Sequence, residues 1–440
     1  MFRYLFLLAL CLVSWRTSIA QDRPIVGAIR WDAWLGQSDG VGAQLNRSLG
    51  PNHWHSRLPF FAKVIDANTV DIDGTSQLVA DAEIEYAAYA RLDYFAFLMY
   101  DDQISLSNGL HKYLSSSKND QLNFCVIMSQ ISTEPITTSV KRVLAYIQKS
   151  NYQHVLGDRP LVYAYNLENA PQLALALKDS CAARHWPRPY IVSLQYADQM
   201  PSSSVYDAIT CYWYNGTQSG GSETGAPYST LMHAAQLNWQ VRLENGTKQI
   251  PLVSLGADGR PRIEHPVSWI PDPASIYKKY FESPQPQEIT QHLKQAFNFI
   301  ENNPLSCEAN TVLMYAWNEN DEGGWLMPTL ENDAHINTAR IDSLRSFRLN
   351  DSPLSSAPLE HKRSSPNDQM AVFPNPTTDS IRILISSPSQ LVVRNSSGLV
   401  LLESTLSESQ TLSFSKYPPG IYFLELRNKN QNYIQKLIKK

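Results

Sequence analysis

The 440-residue chain carries almost no excess of charge: 37 lysines and arginines stand against 41 aspartates and glutamates, for a formal net charge of −4. No basic stripe runs long enough to track a phosphate backbone, which excludes nucleic acid as an expected partner. Cysteine is scarce as well, at 5. With Cys11 set aside in the leader, Cys125, Cys181, Cys211 and Cys307 remain, and none stands at metal-ligand spacing. In an oxidising compartment they permit several disulfide pairings, and small core thiols explain them equally well. Gly-x-Gly-x-x-Gly follows none of the strand-like runs, which weighs against a dinucleotide-binding open sheet. Beyond the leader, no stretch reaches the roughly 18 apolar residues that a membrane helix needs. Of 10 tryptophans none lies after residue 330, so the end of the chain differs in kind from what precedes it.

What is present begins with that leader. Arg3, an apolar run from Tyr4 to Val13 and the small residues Ser18 and Ala20 read as a signal peptide over residues 1–20, with cleavage before Gln21. Eight apolar, β-branched or aromatic runs follow: Ile25 to Trp31, Leu92 to Tyr100, Leu122 to Met128, Pro160 to Tyr165, Tyr190 to Tyr196, Asp207 to Tyr214, Ile250 to Leu255 and Thr311 to Trp317. Most are continuous rather than alternating, as strands buried on both faces of a parallel sheet are. Helical spacing marks Gln77 to Ala90, Ser139 to Ser150 and Pro171 to Ala183 between them. This alternation predicts an α/β fold, a (β/α)8 barrel of the TIM type over 21–348. A Ser- and Pro-rich linker is expected at 349–370, and a small β-sandwich at 371–440.

In such a barrel the C-terminal strand ends form the active face. Those ends carry Arg30, Trp31, Asp32 and Trp34; Tyr100, Asp101 and Asp102; Ser129 and Gln130; Tyr165 and Asn166; Gln195 and Tyr196; Tyr212, Trp213, Tyr214 and Asn215; and Asp258, Arg260 and Arg262. The last run leads into Trp317-Asn318-Glu319-Asn320-Asp321-Glu322-Gly323-Gly324-Trp325. Glycoside cleavage needs one carboxyl group to protonate the leaving oxygen and another to assist at the sugar ring. Neighbouring carboxylates push their proton affinities apart, so that one keeps its proton near neutrality. The plain alternative is a solvated acidic turn. His53-x-His55 lacks a third ligand and reads as structural, so no metal and no cofactor are expected. Asn46, Asn215 and Asn245 open glycosylation sequons that matter only in a cell with that machinery.

Asn318-Glu319-x-x-Glu322-Gly323 after Ala316-Trp317 resembles the closing motif of glycoside hydrolase family 99 and the related WbsX-like proteins. Gly27-Ala28 with Trp31 and Trp34, Glu83-Ile84 with Tyr86-Ala87-Ala88, Asp93 to Phe97, Gly157-x-Arg159-Pro160 and Gly256 to Arg262 follow the same order. The resemblance implies a retaining, endo-acting α-mannosidase on a polysaccharide or oligosaccharide. In that mechanism Glu319 removes the proton of the substrate's own 2-hydroxyl and Glu322 is the general acid and base. Trp31, Tyr100, Tyr214, Asp258, Trp317 and Asn318 are the expected substrate contacts, from their places at strand ends. Asn320 stands where the family has an aromatic residue, Asp321 adds a third acid, and Leu98 to Asp102 is less aromatic than in relatives. The rival reading is a non-catalytic glycan-binding surface protein that retains the barrel.

In the tail, turn signals at Ser397-Gly398 and Pro418-Pro419-Gly420 separate short strands at Ser380 to Ile385, Leu391 to Arg394, Leu399 to Leu402, Thr411 to Phe414, Ile421 to Leu426 and Tyr433 to Lys439. Pro374-Asn375-Pro376, Asn395-x-x-Gly398, Pro419-Gly420-Ile421-Tyr422 and a final strand ending Lys436-Leu437-Ile438-Lys439-Lys440 resemble the type IX secretion sorting domain of Bacteroidetes. The resemblance implies that the partner of residues 371–440 is the type IX machinery and that the destination is the cell surface or the medium.

Overall fold

The computed structural model describes residues 23–128, 134–165, 169–196, 204–332, 335–350, 371–373, 377, 379–385, 388–395, 399–408, 410–428 and 432–439. The leader, linker residues 351–370, Ser129, Gln130, Asn166, Pro374-Asn375-Pro376 and Gly398 lie outside the described residues. The chain divides into two compact units, Met1–Pro353 and Leu354–Lys440.

In the first unit all eight expected runs form strands: β1 (Ile25–Arg30), β2 (Tyr94–Met99), β3 (Asn123–Met128), β4 (Arg159–Tyr165), β5 (Tyr190–Gln195), β6 (Ala208–Cys211), β7 (Leu252–Ser254) and β8 (Thr311–Tyr315). They pair in parallel in the order β7-β8-β1-β2-β3-β4-β5-β6. An isolated parallel bridge between Ile209 of β6 and Gln249, just ahead of β7, brings the two ends of the sheet together. The Ile209 amide donates to Lys248 O at 2.9 Å and the Ile250 amide to Ile209 O at 3.0 Å across that seam. The sheet is a nearly closed (β/α)8 barrel.

The continuous apolar runs follow from that closure. Every residue of β2, β5 and β8 is buried, because one face meets the barrel interior and the other meets helices. Gly27 in β1 is required by its neighbour: a Cβ there would stand 2.1 Å from the Tyr94 ring. That fully buried ring in turn places its hydroxyl 2.7 Å from the Tyr163 hydroxyl. The expected helices appear as α1 (Gln77–Tyr89), α2 (Ile136–Tyr146) and α3 (Ala170–Ala182). Ser76 caps α1 by accepting from the Val79 amide at 3.2 Å, and Pro171 sits in the first turn of α3, where its missing amide hydrogen costs nothing.

Two runs stop more than one residue short of their expected ends. The sixth leaves the strand ladder after Cys211 and the eighth after Tyr315, where the Ala316 amide turns to Gly324 O at 3.2 Å and an antiparallel hairpin replaces the parallel ladder. The four cysteines are buried free thiols, which settles their open alternatives in favour of packing.

The second unit adds a strand that periodicity did not mark, β9 (Ala371–Phe373), to β10 (Ser380–Leu384), β11 (Ser389–Asn395), β12 (Val400–Leu406), β13 (Gln410–Ser413), β14 (Gly420–Arg427) and β15 (Asn432–Lys439). They form two antiparallel sheets, β9-β10-β13 and β12-β11-β14-β15. Alternate residues fill the core between them: Ile381 and Ile383, Leu391 and Val393, Leu424 and Leu426, with Phe414, Tyr422 and Leu437.

Candidate active site

The hairpin after β8 pairs Asn318–Glu319 with Gly324–Trp325 across the single turn Asn320–Glu322. Gly323 closes that turn at φ +80°, a conformation that favours glycine, and a Cβ there would meet the Asp258 amide nitrogen at 2.6 Å. Asn318 fixes the hairpin to the first strand: its Oδ1 accepts from the Trp31 amide at 3.0 Å and its Nδ2 donates to Trp31 O at 2.5 Å. Trp34 Nε1 donates to Asn318 O at 3.0 Å. Trp317 is fully buried against Phe95 and donates from Nε1 to Glu83 Oε1 at 3.0 Å, while Arg30 holds the other Glu83 oxygen at 2.6 Å.

The three acids of the turn converge on Arg262, from the short helix Arg260–Glu264 that follows β7. Arg262 donates to Asp321 at 2.6 and 3.2 Å and to Glu322 Oε1, and lies 3.6 Å from Glu319 Oε2. Glu322 also accepts from Tyr277 at 2.7 Å and, through Oε2, from Tyr315. Glu319 is 2% exposed, and its Oε2 has no hydrogen-bond partner among the described residues. Burial pushes the Glu319 carboxyl well above its usual range, the charge of Glu322 adds to the rise, and Arg262 only partly opposes it. Arg262 is raised as well: burial disfavours its charge, but Asp321 and Glu322 outweigh burial and hold it firmly cationic.

Both glutamates open on a cleft of about 500 Å³ whose wall is aromatic. Trp31, Tyr100, Tyr165, Tyr196 and Tyr212 each stand at or just past the end of a different strand, so the cleft occupies the C-terminal mouth of the barrel. Trp31 Nε1 donates to the Tyr100 hydroxyl at 2.6 Å, and the Tyr165 and Tyr196 hydroxyls meet at 2.6 Å. The rings of Tyr165, Tyr212 and Tyr315 follow one another at 4.7 and 5.3 Å, a line of aromatic faces leading to Glu322.

Of the expected contact residues, Trp31 and Tyr100 line this cleft together with Glu319 and Glu322. The other four do not. Tyr214 is fully buried and bonds Asn238 at 3.1 Å, on the side away from the cleft that its neighbours Trp213 and Asn215 line. Asp258 is held by Arg57 and by two Arg260 nitrogens at 2.8 Å each. Trp317 and Asn318 brace the hairpin from behind. Strand-end position marked these residues, but a strand end carries side chains on both faces and only one face reaches the cleft. Arg262, Tyr165, Tyr196 and Tyr212 stood among the strand ends without being singled out, and Tyr277, between β7 and β8, gave no signal in the sequence. His53 and His55 go to different partners, Glu264 at 2.9 Å and Gly50 O at 2.7 Å. Among the described residues no group of three metal-ligating side chains forms. Asn46 is buried and bonded to Ile72 N and Gly42 O, which leaves no room for a glycan.

No curated protein sequence matches the chain. Among solved structures, the GH99 endo-alpha-mannosidase from Bacteroides thetaiotaomicron aligns over 74% of this chain and 96% of its own, at 12% identity and a TM-score of 0.47. In complex with BIS-TRIS-Propane it aligns over 74% and 97%, at 12% identity and 0.44. A Cellulomonas fimi endo-beta-1,4-mannanase double mutant aligns over 79% of this chain and 86% of its own, at 9% identity and 0.30. The tail is different: residues 371–440 match the family described as the Secretion system C-terminal sorting domain. The chain therefore ends in a sorting domain that addresses it, by type IX secretion, to the cell surface or the extracellular space.

Proposed function

We propose that the barrel is a glycoside hydrolase acting on a polysaccharide or oligosaccharide outside the cell, with Glu319 and Glu322 as its carboxyl pair. One observation carries the reading: two glutamates of one hairpin, one of them pushed by burial toward its protonated form, line the same tyrosine- and tryptophan-walled cleft. Aromatic faces stack on the apolar faces of sugar rings, and the hydroxyls of Tyr100, Tyr165 and Tyr196 offer hydrogen bonds at their edges. Acid and base work at one pH needs a pair whose proton affinities are pushed apart, and the burial of Glu319 beside Glu322 does this.

The finer reading, a retaining endo-α-mannosidase, rests on the motif resemblance. That resemblance makes Glu319 the 2-hydroxyl base and Glu322 the acid. The contacts favour the opposite start: Glu322 accepts from three donors, whereas Glu319 has an unbonded oxygen and is pushed toward its protonated form by burial. In the resting site Glu319 is the better proton donor. For Glu319 to act as base, an arriving sugar has first to take or displace that proton.

The test is to incubate the full chain with a panel of α-mannans and of sulfated and mixed glycans, reading released oligosaccharides against the Glu319→Gln/Glu322→Gln double variant. Products from the wild type alone support the hydrolase and name its substrate. Binding without cleavage shifts the barrel to a glycan-binding role, and a panel neither bound nor cut removes the support for both.

A further inference from the structure

A second cavity, of about 220 Å³, opens on the barrel and shares no lining residue with the cleft. Ser56, Ser283, Thr329, Asn337 and Arg340 are the polar residues of its lining. Arg340 donates from Nη1 to Trp325 O at 2.5 Å and to Leu255 O at 3.4 Å, and from Nη2 to Ser283 Oγ at 2.8 Å. Its guanidinium lies 3.7 Å from the centre of the Trp325 ring. Every one of these partners is neutral.

That neutrality distinguishes Arg340 from other arginines of the barrel. Arg30, Arg57, Arg262 and Arg348 each meet a carboxylate, whereas Arg340 forms no ion pair among the described residues, and none of the described residues lining the cavity is acidic. A second cation, Arg57, stands 5.8 Å from the same Trp325 ring. Desolvation pulls Arg340 down to about 9, opposed by Tyr228 and helped by the Arg57 charge, so it remains a cation at neutral pH with no carboxylate partner among the described residues. Arg340 is only partly buried, and Ser56, Ser283 and Asn337 beside it are exposed, so the cavity is open to a solute that would meet a guanidinium with no carboxylate partner.

We infer that this cavity is an oxyanion site that takes a sulfate or carboxylate group against Arg340, Ser283 and Ser56. Planar guanidinium donors flanked by hydroxyls match the tetrahedral or planar oxygens of such groups. A free inorganic anion and an acidic substituent on a glycan offer the same chemistry. The site stands apart from the proposed cleavage, and no turnover enters its test.

The experiment is thermal unfolding of the full chain during titration with sodium sulfate, against sodium chloride at equal ionic strength. The general salting effect of sulfate does not saturate and is common to all variants. Specific binding adds a saturable rise in the midpoint. Arg340→Met removes the charge but also frees the Leu255 and Trp325 carbonyls, so Ser283→Asp is the decisive variant. It supplies a built-in carboxylate at Arg340 Nη2. We expect it to raise the midpoint in chloride and to weaken sulfate affinity at least roughly tenfold, as loss of charge-assisted bonds does. Identical sulfate curves for wild type and Ser283→Asp, or no saturable rise in the wild type, overturn the assignment. Glucose 6-sulfate in place of sodium sulfate separates the sources: tighter binding assigns the site to a glycan substituent, and equal binding assigns it to the free ion.

Discussion

Arg262 and Asp321 face each other through two hydrogen bonds, at 2.6 and 3.2 Å, with both side chains shut away from solvent. The third acid of the motif is therefore held as a counter-ion, apart from the pair proposed to react. Its charge lets Arg262 lean on Glu322 without leaving a buried cation half neutralised, and it adds to the pressure that keeps a proton on Glu319.

Asp321→Asn should consequently act on stability as much as on turnover. Removing one partner of a buried pair strands the other, at a cost of about 3 kcal/mol. Urea unfolding of the variant against the wild type measures it, and a difference within experimental error would show that Arg262 is satisfied by the glutamates alone.

The two allocations of acid and base are separable by leaving group. Glu319→Gln should lower turnover of the natural glycan by about a hundredfold if it removes general acid help. The same variant should keep most of its rate on an aryl glycoside whose leaving group needs no proton, while Glu322→Gln loses rate on both. The reverse pattern, with Glu322→Gln rescued, would restore the allocation that the motif resemblance implies.

The barrel was legible in the sequence because a parallel sheet buried on both faces forces continuous apolar runs, and all eight showed. The glutamate pair was legible because three-residue spacing keeps both acids in one turn. Arg262 and Tyr277 were not, since each reaches the pair across about 45 to 60 residues of chain and no local pattern encodes such a contact. Asp258 misled for a related reason: its place after β7 is right for the mouth, but Arg57 and Arg260 claim it, and ion pairing between distant segments leaves no periodic trace.

Deleting residues 371–440 should leave glycan cleavage intact and abolish surface delivery. The tail has a hydrophobic core of its own, from Ile381 to Leu437, so its loss does not open the core of the barrel. Fractionation of cells expressing the truncated chain should find the activity in the periplasm. Activity at the surface or in the medium would contradict the sorting role.

The raised proton affinity of Glu319 also carries a signed consequence for stability. In the unfolded chain this carboxyl titrates near its ordinary value of 4.5, and in the folded chain burial and Glu322 hold it well above that. Between those two points the folded state binds the extra proton. The contribution of Glu319 is thus fully present below about 4.5 and is lost as pH rises from there through the raised folded value. Glu319→Gln replaces the group with one that does not titrate, so the stability of the variant relative to the wild type should grow as the pH is raised. Urea midpoints for both proteins at acidic, neutral and alkaline pH test this. Parallel profiles would mean that Glu319 is ionised at ordinary affinity in the folded barrel, and an advantage that shrinks with pH would mean that Arg262 outweighs burial and makes Glu319 the anion of the pair.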